Sequence, residues 1–313
     1  MSRAFIFPGQ GSQTVGMGKD VADAFASARE VFEEIDEALS QNLSKLMFEG
    51  PDEDLILTEN AQPAIMAVSL AVMRVLSKDG GVDLSNTVAY VAGHSLGEYS
   101  ALAAAGCFTI ADTARLLKTR GRAMQEAVPV GEGAMAALIG LEPDVAAAVA
   151  NEAAGDGVCT AANDNAPGQV VVSGDAAAVD RAIEIAQARG AKRAIILPVS
   201  APFHCALMAP AAEVMAEALE AVNMSPLAVP LVANVTAGVV TNASEIRQLL
   251  VEQVTGMVRW RECVLTLKDQ GVDSLVEVGA GKVLSGLARR IDRDLAAVQA
   301  GTPETIEAFL ESL

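Results

Sequence analysis

Positive charge is scarce in this chain: 22 Lys and Arg stand against 40 Asp and Glu, a formal net charge of −18. That balance excludes a general nucleic-acid binder or a membrane-surface protein, while a local basic patch can still receive an acidic partner. No apolar run reaches the ~18 residues that a membrane-spanning helix needs. The start, Met1-Ser2-Arg3 running into a short strand, lacks the design of a signal peptide, so a cytoplasmic location is expected. Cys107, Cys159, Cys205 and Cys263 show no C-x-x-C or metal-ligand spacing and are expected to be small core residues in a reduced compartment. Aromatic residues are also few, at 4%, against 51% hydrophobic residues overall. Apolar bulk carried by Ala, Val, Leu and Gly suits close helix–sheet packing in an α/β protein. Only two histidines exist, His94 and His204, which narrows the choice of any general base.

What is present centres on Gly93-His94-Ser95-Leu96-Gly97, a G-x-S-x-G pattern. Residues 88–92 before it are apolar and rich in β-branched side chains, as a buried strand is; residues 96–105 after it read as a helix closed by Gly106. Strand, tight turn and helix is the context of a nucleophile elbow, in which the serine hydroxyl points away from the sheet. Glycines two before and two after let strand and helix pass close together. The helix N-terminus and the Leu96 amide then favour negative charge on an oxygen nearby.

Residues 4–7 predict a first buried strand, and Pro8-Gly9-Gln10-Gly11-Ser12-Gln13 a glycine-rich loop at its C-terminal end. A dinucleotide-binding pattern fails, because Thr14 stands where the third glycine belongs, and no Walker lysine follows. Such a loop can supply a second amide to an oxyanion. Helices are expected over 20–39, 60–77 and 110–128. On the last, Arg115, Lys118 and Arg122 face solvent, whereas Arg120 falls between Leu116, Leu117 and Met124 and is directed inward. An inward guanidinium needs an anion: either an internal Asp or Glu, or a substrate carboxylate gripped by two parallel hydrogen bonds.

Residues 129–198 then read as strand 134–139, helix 143–154, strands 158–162 and 169–172 around Asn163-Asp164-Asn165-Ala166-Pro167-Gly168, helix 176–189 and strand 193–197. That β-α-β-β-α-β order is ferredoxin-like. The expected fold is therefore α/β: a large α/β-hydrolase-like domain with a mostly parallel sheet, residues 1–128 and 199–313, and an inserted ferredoxin-like subdomain, 129–198. Residues 198–205 re-enter the large domain as a proline-stiffened loop, followed by helix 207–222, strand 231–234, helix 244–254, strand 274–278 and a terminal helix 304–313. His204, on that loop, is free to approach Ser95 through space, whereas His94 beside the serine points away. An imidazole there takes the serine proton and returns it to a leaving group. The residues nominate no acid to orient it.

Gly9-Gln10-Gly11-Ser12-Gln13, Gly93 to Ser100, Arg120 and Phe203-His204 together resemble malonyl-CoA:acyl carrier protein transacylases, the stand-alone acyltransferases of bacterial type II fatty acid synthesis, over essentially the whole length. The resemblance implies Ser95 as nucleophile and His204 as base, with amides of Gln10 and Leu96 as the oxyanion hole. It also implies Arg120 as the clamp on the malonyl carboxylate, with Gln253, Asn165 and Phe203 lining the substrate site. Family members hold the histidine through main-chain carbonyls, and Asn234 is the position nominated. The implied reaction is malonyl transfer from malonyl-CoA to the phosphopantetheine thiol of acyl carrier protein, with coenzyme A thioester as substrate and no permanent cofactor or metal. No nucleic acid or membrane partner and a monomeric state are expected. Lys192, Arg193, Lys282, Arg289 and Arg290 are candidates for the patch that meets the acidic carrier protein. A serine hydrolase (an esterase or phospholipase-like enzyme) using the same elbow is the alternative, and a non-catalytic binding module a third reading.

Overall fold

A computed structural model describes residues 2–313 and contains two sheets. The larger has six strands in the order β10-β9-β1-β2-β7-β8: β10 Ala296–Ala300, β9 Ser274–Val278, β1 Arg3–Phe7, β2 Tyr90–Gly93, β7 Leu231–Val232 and β8 Val239–Val240. All pairings are parallel except β7 with β8. β1 lies between β2 and β9, and Ala4 to Phe7 are fully buried. A parallel strand covered on both faces needs such an unbroken apolar run. The helix Thr58–Arg74 is buried almost all round and packs against the helices Leu96–Ala104 and Ile110–Glu126. No helix is long and apolar enough to cross a membrane among the described residues.

The smaller sheet is antiparallel, in the order β4-β5-β3-β6, with β3 Gly133–Ile139, β4 Cys159–Ala166, β5 Gln169–Asp175 and β6 Arg193–Ile196. Helices Pro143–Ala154 and Ala176–Ala188 pack on one another and form their own apolar cluster with these strands. Connectivity and strand order are those of a ferredoxin-like unit. The fold is thus α/β, with a mostly parallel central sheet and a small antiparallel one.

Several expected boundaries move. Residues 163–166 are not loop but the end of β4, which shifts register against β5 twice. A neighbouring segment pairs with this end of the strand: Asp164 N–H donates to Val258 O, Val258 N–H donates to Ala162 O, and the buried Asp164 carboxylate takes both the Nε and an Nη of Arg261. The expected helix 20–39 is two helices, Lys19–Ala24 and Ala26–Leu39, broken at an extended Phe25. The helix Trp260–Asp269 and strands β8 and β10 were outside the expectation. All four cysteines are free and buried.

The elbow joins β2 to the helix Leu96–Ala104, and its two glycines fit tightly. A Cβ on Gly93 would collide with the Gly97 main chain, and one on Gly97 with the carbonyl oxygens of Phe7 and Pro8. Gly286, in the helix Val283–Ile291, has open space where its Cβ would be. Gly97→Ala is expected to destabilise by roughly 1–3 kcal/mol through overpacking, and Gly286→Ala to be neutral or stabilising by up to about 1 kcal/mol. Urea unfolding of both variants checks the contrast; equal effects contradict the tight elbow.

Candidate active site

Ser95 sits between β2 and its helix with φ 53° and ψ −110°, a conformation rare for any residue with a side chain. Its hydroxyl faces the loop that carries His204, itself at φ 59°. Ser95 Oγ and His204 Nε2 are 2.8 Å apart, and His204 Nδ1 is 2.8 Å from the main-chain oxygen of Gln253. A carbonyl only accepts, so Nδ1 carries the hydrogen and Nε2 is left to accept from the serine hydroxyl. The expected orienter, Asn234, does not touch this ring. Its amide instead spans the elbow: Oδ1 accepts from Ser95 N–H at 2.8 Å and Nδ2 donates to Gly93 O at 2.7 Å. The helix Ala243–Thr255 brings the Gln253 carbonyl to the histidine, whereas Asn234 follows β7, which pairs with β2 beneath the serine.

Arg120 is 1% exposed, on the inward face of Ile110–Glu126. Nη1 donates to Gln62 Oε1 at 2.8 Å; Nη2 donates to Gln253 Oε1 at 2.8 Å and to Ser95 Oγ at 3.2 Å. Its Nε has no hydrogen-bond partner among the described residues. Among the described residues no carboxylate lies within 4.0 Å of this guanidinium. Neutral carboxamides hold it in place while leaving its charge uncompensated at short range. Among the described residues no Asp or Glu pairs with it directly, and Glu98 reaches it only across Gln253.

Gln253 is the crossing point. Besides its two acceptor bonds, its Nε2 donates to Ser95 O at 3.0 Å and to Glu98 Oε2 at 2.6 Å. Glu98 is 1% exposed and also accepts from Asn234 N–H. Sequence reasoning passed over Glu98 and Gln62. The available signal was spacing for Glu98, three residues after Ser95, and for Gln62 a polar side chain among the buried residues of its helix.

The remaining expected residues lie as follows. Gly9, next to Gln10, is packed so tightly on the elbow that a Cβ there would come within 2.6 Å of His94 O. Neither the Gln10 nor the Leu96 N–H has a hydrogen-bond acceptor among the described residues. Leu96 opens its helix and so lacks an intrahelical acceptor. Asn165, at the end of β4, meets His94 Nε2 through Oδ1 at 2.8 Å, tying the small sheet to the elbow. His94 also lies against Trp260, ring centroids 5.7 Å apart. Phe203 is buried in the main core beside His204. A cleft of about 460 Å³ reaches His204, with Thr160 and Ala161 of β4 on one wall and Ala206, Ala209, Thr255 and Met257 on the other. No group of three His, Cys, Asp or Glu is placed to hold a metal ion among the described residues.

The acyl transferase domain family matches residues 4–305 of the chain. The malonyl CoA-acyl carrier protein transacylase of Escherichia coli (strain K12) is 47% identical over 308 residues, 98% of this chain and 98% of that protein. The chain belongs to this acyltransferase family. Among solved structures, the acyl-carrier-protein-S-malonyltransferase of Bartonella henselae superposes with a TM-score of 0.97 at 56% identity, covering 100% of this chain and 99% of that one. A malonyl-transacylase, PlMCAT, in complex with AntF, a type II PKS acyl-carrier protein, superposes with a TM-score of 0.96 at 42% identity over 100% of both chains. Family membership sets aside the serine-hydrolase reading and that of a non-catalytic module.

Electrostatics fix the protonation state of the pair. Burial, then the positive charge of Arg120, push His204 down to about 3, against a smaller upward pull from the Gln253 carbonyl. Burial pushes Glu98 up to about 7, with Gln253, the Asn234 amide and Arg120 pulling the other way. A lowered histidine stays neutral, and so able to accept a proton, until pH falls toward that lowered value. Sulfonylation of Ser95 by a serine-directed sulfonyl fluoride, with loss of fluoride, is therefore expected to show no histidine inflection near pH 6.5 on descending from pH 8 to 5. A tenfold loss centred there contradicts the buried, neutral base.

Proposed function

We propose that this chain transfers the malonyl group of malonyl-CoA to the phosphopantetheine thiol of acyl carrier protein, supplying fatty acid chain elongation through a malonyl ester on Ser95. The observation that carries this reading is an interior arginine, without a short-range anion, in hydrogen-bond contact with a serine that is paired to a neutral histidine.

In the first half-reaction His204 Nε2 takes the Ser95 proton as Oγ attacks the thioester carbon. The Gln10 and Leu96 amides receive the tetrahedral oxyanion, each worth roughly 3 kcal/mol of transition-state stabilisation. His204 then returns the proton to the departing thiolate. In the second half the carrier thiol attacks the ester by the same steps in reverse, which is ping-pong behaviour. Arg120 holds the free malonyl carboxylate by its two Nη groups. That carboxylate also offsets the positive charge that depresses His204, so the cognate acyl group strengthens its own base. An acetyl group does neither.

Asn165 and Phe203 are taken to line the acyl and pantetheine path, and residues 129–198 to form a separate unit whose β4 makes one wall of the cleft. The reaction uses no permanently bound cofactor; coenzyme A arrives as substrate. Lys192, Arg193, Lys282, Arg289 and Arg290 are exposed and suit an acidic carrier protein. A monomer in the cytoplasm completes the proposal.

Intact-mass measurement after mixing with malonyl-CoA tests it. A malonyl adduct is expected on the native chain and none on Ser95→Ala. Arg120→Ala is expected to depress malonyl loading about 100-fold or more while changing acetyl loading far less, the loss of a charged, bidentate contact. No adduct on the native chain, or equal losses for both acyl groups, overturns the reading.

A further inference from the structure

We infer that Glu98 is a positioning residue: its carboxyl fixes the Gln253 side-chain amide in the one orientation that presents Oε1 to Arg120. This rests on the acyl-serine reading above and deepens it.

A carboxamide in a hydrogen-bonded site has two orientations that differ by exchange of its oxygen and nitrogen. At Gln253 the choice decides what faces the guanidinium. With Oε1 toward Arg120 Nη2, at 2.8 Å, the arginine is held; with Nε2 there, two donors would oppose each other. What selects the first orientation lies on the far side of the amide. Glu98 Oε2 accepts from Nε2 at 2.6 Å, and Ser95 O accepts from it at 3.0 Å. Glu98 makes the shorter of these two contacts and is buried within the same helix turn as the serine. It touches neither the serine hydroxyl nor His204, so it acts through Gln253. The same Oε2 accepts from Asn234 N–H at 3.3 Å, and Asn234 carries the amide that holds the Ser95 and Gly93 main chain. One oxygen thus ties the clamp to the elbow.

Both hydrogen bonds converge on a single oxygen, so geometry rather than charge is the requirement. Two variants separate these. Glu98→Gln removes the charge and keeps an oxygen at that reach; Glu98→Asp keeps the charge and withdraws the oxygen by about 1.5 Å. Per mole of folded protein, judged by circular dichroism and thermal melting, Glu98→Gln is expected to load malonyl within about threefold of the native rate. Glu98→Asp is expected to lose about 100-fold, the effect of misplacing a substrate-positioning group by roughly an ångström. Its malonyl-to-acetyl preference should fall with it, which a general loss of stability would not cause. In a Gln253→Ala background, Glu98→Asp should cost little more, because the group it positions is gone. Glu98→Gln losing as much as Glu98→Asp, both loading at the native rate, or losses that add fully in the Gln253→Ala background would each overturn the inference. Failure of the native chain itself to form a Ser95 adduct would instead overturn the acyl-serine reading.

Discussion

The backbone of Ser95 is the constraint on which the rest depends. A residue with a side chain held at φ 53°, ψ −110° costs on the order of 1–3 kcal/mol, and surrounding contacts must over-determine it. Here three do. Gly93 and Gly97 let strand and helix touch at main-chain distance, the Asn234 amide bridges the N–H of Ser95 to the carbonyl of Gly93, and Gln253 Nε2 takes the Ser95 carbonyl. The hydroxyl is then presented to a histidine whose own backbone is also left-handed. The main chain of the serine is thus held by neutral carboxamides.

That neutrality has an electrostatic consequence. A chain with a net charge of −18 has acidic residues to spare, yet Arg120 is surrounded by the amides of Gln62 and Gln253. A carboxylate in either place would pair with the guanidinium and remove its attraction for a substrate anion. Carboxamides orient it without neutralising its charge. The same charge lowers the proton affinity of His204, so the two side chains are coupled through the low-dielectric interior.

Much of this was legible from residues alone, because the informative features were local. The strand–turn–helix around Ser95 and the inward register of Arg120 each follow from periodicity within a few turns. The β-α-β-β-α-β order of the small sheet does too. The misses have a common cause in contacts made at long range. Residues 163–166 read as a turn from their Asn and Asp content and the Pro167-Gly168 that follows, yet Val258 and Arg261 pair with them as the end of β4. Ala-rich β10 is an edge strand with weak intrinsic preference. The choice of Gln253 O over Asn234 for His204 depends on where a helix 49 residues away in sequence crosses the loop. Family resemblance named both positions but could not assign their hydrogen bonds.

The central claim is that one interior cation and one activated hydroxyl act on opposite ends of the same short acyl chain. A crystal structure of the malonyl-loaded chain, trapped in the absence of carrier protein, tests it most directly. The account predicts an ester on Ser95 Oγ, its carbonyl oxygen about 3 Å from the Gln10 and Leu96 amides, and the free carboxylate paired to both Nη groups of Arg120. A malonyl carboxylate turned out to solvent, with Arg120 still held only by Gln62 and Gln253, would contradict it.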